Sequence, residues 1–89
     1  MNLIYAHNLA AARNFAEHND FMPGDWVWIQ DADVVRHHPR ADIHKVAHWE
    51  NHPHRAHIDQ VIERARESHR LGTITEVDAG GGTLGVSGG

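Results

Sequence analysis

Histidine is the residue type in this chain with the most potential for chemistry. Ten of the 89 residues are histidine, and five of these lie between positions 44 and 57. Imidazole is the commonest protein metal ligand and the one side chain whose ordinary pKa lies close to neutral pH. Such a cluster could form a metal site, a pH-responsive surface or a binding edge. Its members are His44, His48, His52, His54 and His57.

The spacing of these histidines decides which of them could share a metal ion. On a helix, His44 and His48 would chelate one ion as an i, i+4 pair, whereas on a strand they lie about 13 Å apart. We favour a strand for this segment, which removes His44 from the site. An unpatterned histidine-rich loop binds zinc or nickel adventitiously more often than specifically, so we expect no cofactor. The metal ligands that remain are His48, His52 and His54, with Glu50 as a fourth ligand or base.

A second grouping follows from where the predicted strands end. Ligands of open α/β sheets bind beyond the carboxyl ends of the strands. The residues that follow three predicted strands would therefore lie along one rim of the sheet. Their side chains include imidazoles, carboxylates, amides and an indole, so an acid, a base and a stacking surface could converge there. This candidate ligand- or partner-binding set is His7, Asn8, Asp31, His48, Trp49, Glu50, Asn51 and His52.

Several classes of enzyme leave no signature in the chain. There is no cysteine, which excludes a disulfide framework, a thiolate zinc site and a cysteine nucleophile. GxxxxGK[ST] does not occur, and GxGxxG occurs only in the glycine-rich tail (80–85), after which no helix is predicted. The first strand is followed by His7-Asn8-Leu9-Ala10, with no glycine to admit a phosphate. We assign no catalytic residue, and binding is favoured over catalysis.

The elements that would position these residues alternate along the chain. Asn8 is typical of a helix N-cap, Pro23-Gly24 suits a type II turn, and Pro53 suits the first position of a helix. Gly72 is typical of a residue that follows a helix end. Predicted strands cover 3–6, 26–29, 43–49 and 73–77, and predicted helices cover 8–19 and 53–70, with a short helical turn capped by Asp31 or Asp33 between the second and third strands.

This order predicts a small α/β domain. A β-α-β-β-α-β arrangement gives a three- to four-stranded, mainly parallel sheet with two helices, about half of a doubly wound domain. We assign residues 1–78 to this single domain and residues 79–89 to a flexible, glycine-rich tail. Because two helices cover such a sheet incompletely, a face containing Trp26 or Trp28 could associate with a second copy.

Charge and hydropathy limit the partners. The net charge is −4 with histidine neutral, which lacks the basic excess that nucleic-acid binding usually requires. The apolar stretches are far shorter than the roughly 20 residues that span a membrane. The N-terminus does not show a positive region followed by an apolar block, as a secretory signal does. We expect a cytoplasmic protein with no membrane or nucleic-acid partner.

The layout resembles that of short uncharacterised accessory proteins of phages that infect actinobacteria. The features that carry the resemblance are the initial strand with its Ala/Arg-rich helix (8–19), the segment Pro23-Gly24-Asp25-Trp26-Val27-Trp28-Ile29, the segment Trp49-Glu50-Asn51-His52-Pro53 and the charged helix after it. The resemblance implies a small phage product, located in the host cytoplasm, that binds a host or phage component. It implies no functional residues.

The leading hypothesis is a non-enzymatic binding module that acts by protein–protein contact, on a host component or as a homo-oligomer. Two alternatives stay open. One is a metal-dependent hydrolase or nuclease that uses His48, Glu50, His52 and Asp31 at the rim of the sheet. The other is a protein that sequesters a small molecule or nucleotide at the same rim.

Overall fold

The computed structural model describes residues 1–76, which form four strands and three α-helices. The predicted tail, 79–89, lies outside the described residues, as does the last residue of the predicted fourth strand. The strands are β1 (Asn2–Tyr5), β2 (Trp26–Trp28), β3 (Asp42–Lys45) and β4 (Ile74–Glu76). The helices are α1 (Leu9–His18), α2 (Ala32–His37) and α3 (Arg55–Glu67), and a 3-10 turn, Trp49–Asn51, lies before α3.

The four strands form one parallel sheet in the order β2-β1-β3-β4. Leu3 of β1 pairs with Val27 on one side and Ile43 on the other. The chain runs outward from β1 to β2 and then crosses back to β3, so the direction of winding reverses between β1 and β3. The predicted small α/β fold is confirmed. The predicted helical turn is the helix α2, which makes the order β-α-β-α-β-α-β.

The sheet has a helical layer on each face. Alternate residues of a strand point to opposite faces. Leu3 and Tyr5 are fully buried on the face that packs against α2 and α3, together with Ile43 and Ile58. Ile4 lies on the other face, in a smaller cluster with the buried alanines of α1. The larger core therefore lies under α2 and α3.

On the second face of the sheet, α1 is the helix that covers the apolar residues. Polar residues on the rest of that face explain why one helix is sufficient. Ile4 pairs in register with Trp28 and with His44, and His44 pairs with Thr75. The half of this face formed by β1 and β2 is apolar and lies with α1, whereas β3 and β4 present His44 and Thr75. The indole Nε1 of Trp28 donates a hydrogen bond to the carbonyl of Ala6, 3.0 Å away. The tryptophans of β2 thus belong to the small core.

The predicted signals at the beginning of α1 and α2 are confirmed. The Asn8 side chain accepts a hydrogen bond from the Ala11 N–H at 2.8 Å and so caps α1. Asp31, rather than Asp33, caps α2 by accepting the Asp33 N–H at 3.0 Å. Each cap satisfies a backbone donor that has no partner inside its helix. Leu9, the first residue of α1, is apolar but 42% exposed.

The turn between α1 and β2 has the expected geometry. The Asp25 N–H donates to the Met22 carbonyl at 2.9 Å. Gly24 has a φ of 92°, the positive value that a type II turn requires at its third residue. The turn sets the point at which the chain enters β2.

The boundaries of α3 differ from the prediction. Pro53 precedes the helix, whose N-cap is His54. At the other end His69 adopts a left-handed φ of 56°, and the Arg70 N–H donates to the Ala65 carbonyl at 2.8 Å. This bond closes a Schellman motif, in which His69 takes the place usually given to glycine. The helix therefore stops before Gly72 is reached.

Gly72 has a different role from the predicted one. Its N–H donates to the Ala41 carbonyl at 2.9 Å, which brings the chain against the start of β3. A Cβ atom at this position would collide with the Asp42 carboxylate and lie 3.0 Å from the Arg40 carbonyl. The absence of a side chain allows the segment before β4 to lie beside β3.

Candidate functional site

The structure brings two of the predicted rim residues together at the point where the winding reverses. His7 follows β1, and His48 follows β3. Their ring centroids lie 5.8 Å apart with an interplanar angle of 88°. In parallel sheets this point leaves a crevice, because the chains leaving the two neighbouring strands turn toward opposite faces. The two imidazoles lie after the carboxyl ends of β1 and β3, where such a crevice is expected.

Each of these two histidines has an unusual local feature. The Nδ1 atom of His7 is buried, and no hydrogen-bond partner reaches it within residues 1–76. His48 is exposed and has a left-handed backbone with a φ of 70°. A buried polar atom without a partner and a left-handed residue with a side chain both raise the free energy of the folded state. The two features occur on adjoining side chains.

His52, by contrast, has a structural role. It is 4% exposed, and its Nε2–H donates to the carbonyl of Ile29 at 2.8 Å. Its Nδ1 accepts the backbone N–H of His54 at 2.9 Å. The ring also contacts Tyr5 and Trp28, with centroid distances of 5.9 and 5.8 Å. Both nitrogens are occupied, so His52 ties the loop before α3 to the end of β2 and has no free lone pair for a metal.

The other predicted site residues are dispersed. Asn8 and Asp31 serve as helix caps, and Glu50 and Asn51 are exposed in the 3-10 turn. Within residues 1–76, no group of three or more histidine or acidic side chains is placed to hold one metal ion. Of the residues named for a hydrolase (His48, His52, Glu50 and Asp31), His52 and Asp31 are engaged in internal hydrogen bonds.

Trp49 is covered by neighbouring side chains. Its ring lies 5.1 Å from that of Tyr5. The Nζ atom of Lys45 lies 4.3 Å from the indole centroid, and the guanidinium carbon of Arg55 lies at 5.5 Å. Cations at these distances are attracted to the π-face of an indole. Trp49 thus fastens the 3-10 turn onto the sheet, and its faces are already in contact with the protein.

Tyr5 is a fully buried phenol held by a carboxylate. Its hydroxyl donates to Oδ1 of Asp59 at 2.9 Å, and Arg55 lies 3.4 Å from the other oxygen of that carboxylate. Burial raises the pKa of Tyr5, and the hydrogen bond to Asp59 raises it further. The phenol therefore remains protonated near neutral pH and acts as a fixed donor.

His44 lies on the partly covered face of the sheet. Its ring lies 5.6 Å from Phe15 and 5.5 Å from Phe21, and its Nε2 lies 3.0 Å from Oδ1 of Asn2. Burial lowers the pKa of His44, because the charged form loses solvation, and the nearby Asp42 partly opposes this effect. The strand places His44 in this packed environment, apart from the rim.

Another cavity among the described residues lies between α2 and α3. It has a volume of about 750 Å³. We call it the α2–α3 groove and define it by its apolar residues Val35, Pro39, Val61 and Ala65 and its polar residues Arg36, His57, Gln60, Arg64, Ser68 and Arg70. Three arginines and no carboxylate line this groove, in a chain whose net charge is −4. Cations therefore predominate in its lining, although one of them, Arg36, is paired with Asp33 just outside the lining residues.

Arg36 contacts two other side chains at the α2–α3 groove. Its Nη1 contacts Oδ1 of Asp33 at 2.7 Å, and its Nη2 lies 3.4 Å from Nε2 of His57. The second contact joins α2 to α3. Sequence reasoning did not identify the groove, because its arginines come from separate segments that the chain brings together only after α2 and α3 pack.

A second cavity, of about 510 Å³, lies beside β4. Its charged residues are Lys45, Asp59, Glu63 and Arg66, and Glu63 and Arg66 form an ion pair at 2.8 Å. Because cations and carboxylates balance there, this cavity has no preference for a charged ligand.

Among the described residues, no helix has the length and apolar character needed to cross a membrane. Comparison of the chain with protein-family models, with curated proteins and with solved structures found no match.

Proposed function

We propose that this protein is a non-enzymatic binding module that acts by protein–protein contact, and that the α2–α3 groove is its docking surface. The partner we propose is a protein segment that carries both apolar and acidic side chains. The observation that supports this proposal is the composition of the groove, with three arginines and a histidine beside an apolar floor and no carboxylate.

The arginines of the groove and its apolar surface both favour a partner segment with acidic and apolar side chains. Arginine binds carboxylates through a planar, forked set of donors and is enriched at the energetically important positions of protein interfaces. Pro39 and Ala65 offer apolar surface between the arginines, above the buried Val35 and Val61, which suits leucine-like side chains. A nucleic acid would meet the acidic remainder of a chain whose net charge is −4, so we favour a peptide over a polynucleotide.

Fluorescence anisotropy with a defined probe tests the proposal. The probe is a labelled twelve-residue peptide of alternating glutamate and leucine, and a matched peptide has glutamine in place of glutamate. We expect the glutamate peptide to bind at least about fivefold more tightly than the glutamine peptide. We also expect this preference to weaken at high salt, because it depends on charge.

Two variants test whether the glutamate peptide binds in the α2–α3 groove. Arg64→Glu should weaken binding of the glutamate peptide by about tenfold, since one reversed charge turns attraction into repulsion. The control is Arg13→Glu on α1, an exposed residue outside the groove, which makes the same change in net charge. Equal affinity for the two peptides, or equal effects of the two variants, would contradict the proposal. Light scattering on the free protein would show whether a second copy occupies the groove instead.

A further inference from the structure

A second candidate site, separate from the α2–α3 groove, lies where the direction of winding reverses between β1 and β3. We infer that His7 and His48 form a two-histidine site for a divalent transition-metal ion of the zinc, nickel and copper class. The site lies between the carboxyl ends of β1 and β3 and is independent of the proposed peptide-binding function.

The distance between the two rings fits a shared ion. Two imidazoles bound to one tetrahedral zinc through Zn–N bonds of about 2.1 Å have ring centroids roughly 5 Å apart. The centroids of His7 and His48 lie 5.8 Å apart. Because His48 is exposed, its side chain has room to rotate and turn a ring nitrogen toward the ion.

The unpartnered nitrogen of His7 is the second argument. A buried polar atom without a hydrogen bond is costly, and an ion or a water molecule commonly satisfies such an atom. Nδ1 of His7 is such an atom among the described residues. Metal coordination through this nitrogen would remove the cost, and the same crevice is where α/β sheets of this topology accept ligands.

The backbone of His48 is the third argument. A left-handed conformation is uncommon for residues other than glycine and asparagine, and it recurs at binding sites. In the described residues Asp20, Arg40 and His69 also adopt it. With a φ of 70°, His48 carries an imidazole at a position where glycine would be less strained. The conformation directs the chain from β3 into the 3-10 turn and leaves the His48 ring beside that of His7.

The predicted metal ligands His52 and His54 have no part in this site. His52 uses both nitrogens in internal hydrogen bonds, and His54 is exposed, with its ring 5.9 Å from that of His52. With two protein nitrogens, the remaining coordination positions of the ion are left to water or to an external ligand, as in metal sites that stay open.

Calorimetric titration of tag-free protein with Zn²⁺ tests the inference. We expect one site per chain, with the affinity reduced by about tenfold or more in His7→Gln and in His48→Gln. The matched control is the double variant His37→Gln/His54→Gln, which removes two exposed imidazoles outside the site and should retain the affinity. NMR of the imidazole nitrogens should show shifts at His7 and His48 on addition of zinc.

Three results would overturn the inference. These are the lack of a zinc site in the unmodified chain, full affinity in His48→Gln, and an equal loss of affinity in the control. Since His48 is exposed, its variant is expected to fold, so the test stands even where His7→Gln does not fold.

Discussion

The imidazole of His52 connects two parts of the chain that are 23 residues apart in sequence. It donates to the Ile29 carbonyl and accepts the His54 N–H. Polar groups that are buried and fully paired specify a unique arrangement of the segments they join. At the level of single residues, this histidine stabilises the loop that leads into α3.

Replacement of His52 by alanine should destabilise the fold. The change leaves the Ile29 carbonyl and the His54 N–H without partners and opens a cavity between Tyr5 and Trp28. We expect a loss of about 2–4 kcal/mol in the free energy of unfolding, measured by urea denaturation. His54→Ala serves as the control, since its backbone N–H remains and its side chain is exposed. A comparable loss in both variants would show that the two hydrogen bonds contribute little.

His44 should make stability depend on pH. Because its folded-state pKa is lowered, the unfolded chain binds a proton more readily than the folded chain. The stabilising contribution is therefore complete above the ordinary histidine pKa of about 6.5 and decreases as pH falls through that value. His44→Gln keeps a donor for Asn2 and removes the titration. The variant should lose less stability than the unmodified chain between about pH 7.5 and pH 5.5 in urea denaturation. Identical slopes for the two proteins would exclude His44 as the source.

At the scale of elements, the segment that joins α3 to β4 depends on close approach at Gly72. Its backbone lies against the carbonyl of Arg40 and the carboxylate of Asp42. Asp42 also accepts the Thr73 N–H at 2.8 Å. The pairing of β4 with β3 therefore rests on a contact between backbones that has no room for a methyl group.

Gly72→Ala should weaken the attachment of β4. The added Cβ forces the Asp42 side chain and the backbone of the following residues apart, and we expect a loss of about 1–3 kcal/mol. Hydrogen exchange should show a larger loss of protection in β4 than in β1. Thr75→Ala is the matched control, because Thr75 is an exposed residue of the same strand. Unchanged exchange in β4 of the glycine variant would show that the chain accommodates the methyl group elsewhere.

At the same scale, the sequence predicted the elements better than their ends. Asn8, Asp31 and Gly24 act through hydrogen bonds or φ angles within a few residues, so their roles could be inferred locally. The end of α3 could not, because His69 takes the left-handed position that glycine usually occupies. His52, Gly72 and the α2–α3 groove depend on contacts between distant segments, which periodicity and spacing do not encode.

At the scale of the whole molecule, strand order decides which histidines meet. The predicted rim contained eight residues, and their spacing alone offered no means of choosing among them. The order β2-β1-β3-β4 makes β1 and β3 neighbours, which places His7 beside His48 and leaves Asp31 beyond the end of β2 as a helix cap. The α/β layout followed from the alternation of elements, whereas this adjacency required the complete topology.

The strand order also determines which strands lie at the edges of the sheet, where another chain could pair with them. Its outer strands are β2 and, in the part of the chain that the structure describes, β4, and each has only three residues. Unpaired backbone N–H and C=O groups on an edge strand can pair with a strand of another chain. A short edge strand has few such groups, which is one protection against aggregation. The longer strands, β1 and β3, have neighbours on both sides. Concentrated samples should therefore resist fibril formation, although β2 carries two tryptophans.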